Sequence, residues 1–334
     1  MVLVDLKTKG GNMIFKVFGL IAAMLFSASA SAQTKWDMPT PYSDGEFHTI
    51  NVRQFADDVK KATGGKLEIV VHSNGSLIKH PDMLRAVSTG QVNIVEFLLG
   101  QFGNEDPMFA ADNIPFVATG YDNAYKFYQA QKPLLEKKLA ARGTRLLYSV
   151  AWPGQGLYTK NPLKSVDDLK GTKLRTYSPQ TARLAELLGA SPTVIQVPEV
   201  PQAFATGTVS AMITSSATGT STKVWEFVKN YYTTNAFHPK NVVVVNERAF
   251  QRLPEAEKKA LLDAAAAAGK RGWDLSRQRE QNATKGLAEH GMNVIEPDAA
   301  MKAAFLRIGE TMLAEWQKTA GADGEALIKA YRGK

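Results

Sequence analysis

Residues 67–97 read LEIVVHSNGSLIKHPDMLRAVSTGQVNIVEF, and this stretch decides the fold class. Leu67–Val71 is a β-branched run of strand type. Pro81 opens a helix that continues through Val87 and is closed by Gly90, and Val92–Phe97 is the next strand. Upstream, Lys35–Met38 reads as a short strand. Ser43 or Asp44 caps a helix whose Phe47, Ile50, Phe55 and Val59 keep a roughly helical period, and Gly64-Gly65 ends it. The series is β-α-β-α-β, the pattern of a parallel sheet in an α/β protein.

Downstream, residues 100–118 are irregular, with Asp106-Pro107 and Ile114-Pro115 as breakers. Asp122–Ala141 is an amphipathic helix and Arg145–Val150 a strand. The theme then restarts. Gly156–Thr159 and Lys173–Tyr177 read as strands, Pro179–Leu188 as a helix, and Thr193–Gln196 and Val209–Ile213 as further strands. Val242–Val245 is a strand of fully buried type. Two α/β units therefore meet near residue 152. A helical stretch opens at Pro254 and reaches about His290; at 1.5 Å per residue it spans ~50 Å, longer than one domain core. It must cross between domains or break at Gly269 or Gly272. A strand at Met292–Ile295 and a helix over Asp298–Thr319 close the chain.

Composition agrees. At ~150 residues per domain, 334 residues make roughly two domains. Apolar residues at 44% and charged residues at 22% are those of a folded chain. The absence of cysteine excludes disulfides, thiolate metal sites and cysteine nucleophiles. Lys and Arg number 40 against 32 Asp and Glu, a net +8, but no basic run reaches five residues, which argues against nucleic acid. Within MIFKVFGLIAAMLFSASASA (13–32), Lys16, the apolar Val17–Phe26 and the Ala30-Ser31-Ala32 site form an export leader with cleavage after Ala32. The product is expected to be exported.

Catalytic constellations are missing. The five histidines (His48, His72, His80, His238 and His290) show no metal-ligand spacing. There is no nucleophile elbow, phosphate-binding loop or dinucleotide fingerprint. A cleft between two α/β lobes is instead a binding site, at the carboxyl ends of the strands. At those tips stand Arg175, whose planar fork matches a carboxylate, and an aromatic group that includes Tyr42, Phe97, Trp152, Tyr177 and Phe237.

Residues 165–175 (SVDDLKGTKLR), 188–193 (LGASPT) and 199–211 (EVPQAFATGTVSA) resemble the TRAP transporter solute-binding proteins of the DctP type. The likeness extends to 61–69 (KATGGKLEI), 83–90 (MLRAVSTG), 244–246 (VVN) and 253–257 (LPEAE), and so covers 34–332. It implies a two-lobed, type II-like periplasmic binding protein with a long helix spanning both lobes and closure of the cleft around an organic acid. It further implies that Arg175 binds the ligand carboxylate, and that Thr214, followed by Ser215 and Ser216, stands where many members place an asparagine. The partners implied are the small and large TRAP membrane subunits; no cofactor or metal is expected, and a monomer is the default. The expected boundaries are a leader at 1–32, domain I at 33–152 plus about 241–280, and domain II at 153–240 plus about 281–334.

The departures bear on the ligand. Some sugar-acid-binding members carry a second arginine where this chain has Trp152-Pro-Gly-Gln155. Near the first strand stands Met38-Pro-Thr-Pro-Tyr42 in place of an asparagine-containing turn. These changes remove charge and add ring surface. They favour an aromatic monocarboxylate of hydroxybenzoate, mandelate or benzoylformate type. The alternative is a C4-dicarboxylate or 2-oxo acid, which needs a second cation such as Lys79, His80 or His238. A periplasmic enzyme is the remote alternative, for want of a paired acid and base.

Overall fold

The computed structural model describes residues 33–333; the leader and its cleavage site lie outside them. Eleven strands are described: β1 (Thr34–Pro39), β2 (Leu67–His72), β3 (Ile94–Leu98), β4 (Thr144–Ala151), β5 (Gln155–Thr159), β6 (Lys173–Thr176), β7 (Ser191–Val194), β8 (Ala211–Ser215), β9 (Asn230–Tyr232), β10 (Lys240–Asn246) and β11 (Asn293–Ile295). They fall into two lobes. In the first, β1 and β2 pair in parallel, with Trp36 opposite Ile69, and the helix Phe47–Ala62 connects them.

The parallel sheet expected to continue into β3 does not form as one ladder. β3 lies beside β1 but pairs antiparallel with β10, which also pairs antiparallel with β4. The cause is the buried run Val242–Val245. All seven residues of β10 are buried, so the strand needs neighbours on both edges. It returns from the second lobe and inserts between β3 and β4.

The second lobe is one mixed sheet in the order β11-β9-β5-β8-β6-β7. β6 runs parallel to β7 and β8, whereas β5 is antiparallel to β8 and β9. At three residues, β9 is too short to leave a sequence pattern. The crossings from β4 to β5 and from β9 to β10 run side by side. Trp152 N–H donates to Pro239 O at 2.8 Å and Gln155 N–H to Phe237 O at 3.0 Å.

The long helix, Glu255–Glu289, is unbroken over 35 residues. It packs on the helix Phe47–Ala62 and on β4 in the first lobe, and on the helix Ser216–Ser221 in the second. Gly269 and Gly272 do not interrupt it and instead mark close approach: a Cβ on Gly272 would collide with Val150 and Asn51. Asn51 ties the same turn by donating to Ala268 O at 3.0 Å.

The last helix runs over Ala299–Arg332, with a kink at Gly321 (φ 54°), beyond the expected end at Thr319. The expected boundaries put this segment in the second domain. β11 does join the second sheet, but the helix lies chiefly on Tyr121–Ala140 and Pro107–Ala110 of the first lobe. It buries Phe305, Met312, Trp316 and Leu327, and Trp316 Nε1 donates to Pro107 O at 2.7 Å. Among the described residues no helix is long and apolar enough to cross a membrane.

Gly272→Val is expected to lower stability by ~1–3 kcal/mol through overpacking against β4. Gly286→Ala in the same helix, where an added Cβ meets nothing within 4 Å, is the control, expected to be neutral or stabilising in urea unfolding.

Candidate ligand-binding cleft

Two strand-to-helix transitions in the second lobe place the polar side chains. β6 passes through Tyr177 into the helix Pro179–Leu187, whose first turn is fixed by the Ser178 hydroxyl accepting from Thr181 N–H at 3.2 Å. β8 passes into Ser216–Ser221, where Ser215 Oγ accepts from Thr218 N–H at 3.2 Å. Arg175, Tyr177, Thr214 and Ser215 therefore reach the cleft together. The first lobe contributes Tyr42 after β1, His80 after β2 and Leu98 at the end of β3, and the crossings add Trp152, Gln155 and Pro239. They line a pocket with about 350 Å³ of empty space, the solvent at its open mouth included.

Arg175 is buried, at 1% exposure. Its Nε donates to Ile195 O at 2.9 Å and its guanidinium lies 5.1 Å from the Tyr177 ring centre. Nη1 and Nη2 have no partner. Burial draws its pKa down to about 10, so it stays protonated at neutral pH.

The aromatic side chains present faces, because their polar ends are tied. Tyr177 O–H donates to Gln155 Oε1 at 2.7 Å, and Gln155 Nε2 donates to Pro153 O at 2.9 Å. Tyr42 O–H and Trp152 Nε1 both donate to Asn241 Oδ1, at 3.1 and 2.8 Å. The Tyr42 and Trp152 rings meet edge to face at 5.0 Å.

No candidate second cation faces Arg175. His80 Nε2 accepts from Leu98 N–H at 3.1 Å, so the proton sits on Nδ1, which donates to Gln196 Oε1 at 2.8 Å. Burial pushes its pKa to about 4, and the ring is neutral. His238 is also lowered to about 4 by burial, and it turns away, with Nδ1 at 3.0 Å from Trp152 O and its ring 4.6 Å from Tyr121. Lys79 is exposed. Lys240 is buried against Asp112 at 3.2 Å. Among the described residues lining the cavity, Arg175 is the one cation.

The structure brings together Arg175, Thr214, Tyr177, Trp152, Gln155, Ser215, Tyr42 and His80. It leaves out three expected residues. Phe97 packs edge-on to Phe102 at 4.9 Å in the first-lobe core, since strand alternation turns Leu98 to the cleft instead. Phe237 lines a smaller neighbouring cavity with His238 and Lys240. Ser216 lies under the long helix, its Oγ 3.4 Å from Glu280 O. The sequence reading missed Leu98, Gln196, Val197, Thr218 and Pro239 in the lining, and Asn241 behind it. Gln196 had a signal, as the last residue of an expected strand.

Residues 40–319 match the family described as "Bacterial extracellular solute-binding protein, family 7" (DctP). The chain is 49% identical to DctP6, a Bordetella pertussis extracytoplasmic solute receptor binding pyroglutamic acid; the match covers 90% of this chain and 100% of that one at a TM-score of 0.89. A marine metagenome TRAP solute-binding protein specific for pyroglutamate is 38% identical, covering 91% and 100%, also at 0.89. The sialic acid-binding periplasmic protein SiaP of Vibrio cholerae is 25% identical over 85% of this chain and 90% of its own. The two lobes, the spanning helix and the cleft built around Arg175 are thus those of a receptor rather than an enzyme, and the chain belongs to the DctP family, whose members are extracytoplasmic solute-binding proteins that take small organic acids and work with the membrane components of TRAP transporters.

Proposed function

We propose that the acid is a small cyclic monocarboxylate of the pyroglutamate kind, held by Arg175 as the lobes close. The observation that carries this reading is the buried guanidinium, with two unpaired nitrogens, standing as the one cation among the described residues that line the pocket. A carboxylate supplies two acceptors in the matching plane. The pyroglutamate receptors at 49% and 38% identity support the ligand class. They lend no support to the aromatic acid favoured by the sequence. A benzenoid ring suits the walls, but mandelate and benzoylformate carry their one further polar group beside the carboxylate, so the ring offers no partner to a buried polar group farther off, and each one left unpaired costs ~1–3 kcal/mol. A dicarboxylate meets a neutral His80 where it needs a cation.

The domain division proposed follows the sheets: 33–152 with 240–254, which hold the two smaller sheets, in one lobe, 153–239 with β11 in the other, the long helix shared and the last helix laid on the first. Export by cleavage after Ala32 completes the reading; intact-mass measurement of the periplasmic protein should place Gln33 at its N-terminus.

Pyroglutamate is expected to raise the melting temperature, and mandelate, benzoylformate and succinate to raise it little; a shift with succinate alone would overturn the proposal. Arg175→Met is expected to weaken binding by at least about 100-fold, equivalent to ~2.7 kcal/mol of lost ligand stabilisation. The same variant should leave the ligand-free protein as stable as wild type or more so, because it removes an unpaired buried charge.

His80 gives a pH dependence. Its folded pKa of about 4 lies below the ordinary 6.5, so the unfolded chain holds more protons between those values. Its contribution is therefore complete above about pH 6.5 and declines as pH falls towards 4. His238 acts in the same direction. Melting temperatures should drop through this window, and His80→Asn should flatten the slope; an unchanged slope would remove His80 from the account.

A further inference from the structure

We propose that Asn241 reads a carbonyl oxygen on the ligand, away from the carboxylate, and so sets a preference for lactam or keto acids over plain ring carboxylates. The inference rests on the monocarboxylate reading above and deepens it. Asn241 is buried at 1% exposure as the second residue of β10, behind the lining, where it stands opposite Leu98, which lines the cavity. Two residues earlier, Pro239 lines the cavity, and in extended chain residues two apart share a face. The intervening Lys240 points the other way, to Asp112. Tyr42 and Trp152, which hold Asn241 from above, both line the cavity as well.

The orientation of the amide is fixed by chemistry. Trp152 Nε1–H can only donate, and Tyr42 O–H donates to the same atom, so the oxygen of Asn241 must face both. A flipped amide would set N–H against N–H. The nitrogen, Nδ2, is thereby turned away from the two rings, and it is a buried donor with no acceptor. Native folds leave few such groups, and one beside an acid-binding cavity awaits an oxygen from outside the chain. Arg175 Nη1 and Nη2 are the other orphaned donors at this cavity. Arg175 lies against Tyr177, and Tyr42, whose hydroxyl bonds Asn241, lines the same cavity. The unpaired donors thus match a ligand with a carboxylate at one end and a neutral carbonyl at the other. Pyroglutamate has that pattern.

Calorimetric titration of the mature chain with pyroglutamate, 3-oxocyclopentanecarboxylate and cyclopentanecarboxylate tests the assignment. The second ligand keeps the ring carbonyl without the N–H, and the third has neither. Wild type is expected to bind the first two at least about tenfold more tightly than the third, since a site built to hydrogen-bond a group rejects the analogue lacking it. Asn241→Ala should bring the three affinities together while retaining cyclopentanecarboxylate binding. Tyr42→Phe, which frees one bond to the Asn241 oxygen and spares the nitrogen, should keep the wild-type preference. Equal loss for all three ligands in Asn241→Ala would overturn the proposal, leaving Asn241 as a prop for the aromatic wall. Equal affinities in wild type would overturn it too, even if Asn241→Ala fails to fold, while the monocarboxylate reading stands. A wild type that binds none of the three overturns that reading and this assignment with it.

Discussion

Arg175 carries a full charge into the interior with a single hydrogen bond, to Ile195 O, and an aromatic face beside it. Desolvating an unpaired ion costs several kcal/mol, and a fold retains such a group only where something else repays it. Here the repayment is deferred to the ligand. The rest of the cleft is arranged so that nothing in the chain does the job first. Glu96, a buried carboxylate of β3, accepts from the Thr40 hydroxyl at 2.7 Å. Gln155 and Tyr177 satisfy one another. These three polar neighbours are thereby engaged elsewhere.

That constraint gives the closed arrangement its logic. The lobes meet across the cleft through neutral contacts: His80 to Gln196 at 2.8 Å and Gln196 to Gln101 at 3.3 Å. Among the described residues the one ion pair between the lobes on this side, Arg183 with Glu315 at 2.7 Å, lies on the surface, where solvent screening leaves it little strength. Weak latches and an unpaired charge mean that closure without ligand gains little. On the opposite side the paired crossings and the long helix are continuous structure, so opening there means bending and not breaking. The ligand supplies the missing term, and a receptor needs that dependence to report occupancy.

Much of this was legible in the chain. The β-branched runs and the proline and glycine punctuation located ten of the eleven described strands, since those signals are local. Arg175 was visible because a cation at the tip of a buried strand has no packing reason to be there. What escaped was set at long range. The insertion of β10 between β3 and β4 depends on a chain that leaves the lobe and returns, which no periodicity records. Phe97 and Leu98 differ by one residue in a fully buried strand, where no polar alternation marks the faces. Asn241 reads as the polar lead-in to an apolar strand, and only the meeting of three distant segments makes its amide significant.

The same economy of charge explains how the site selects. A neutral solute leaves Arg175 unpaired, and a dianion brings a second charge into a cavity where His80 has its lone pair committed to Leu98 N–H. Protonating His80 to meet that charge would set two donors against each other. In the segment where the family resemblance implies an arginine in some sugar-acid binders, this chain carries Gln155, whose oxygen and nitrogen are both engaged. A second anionic group would thus remain buried without a partner, at a cost that the added contacts of a larger ligand do not offset. On the monocarboxylate reading, selection for one negative charge is written twice: once in the cation that is free, and once in the neutral groups that cannot become cations without breaking the closed cleft.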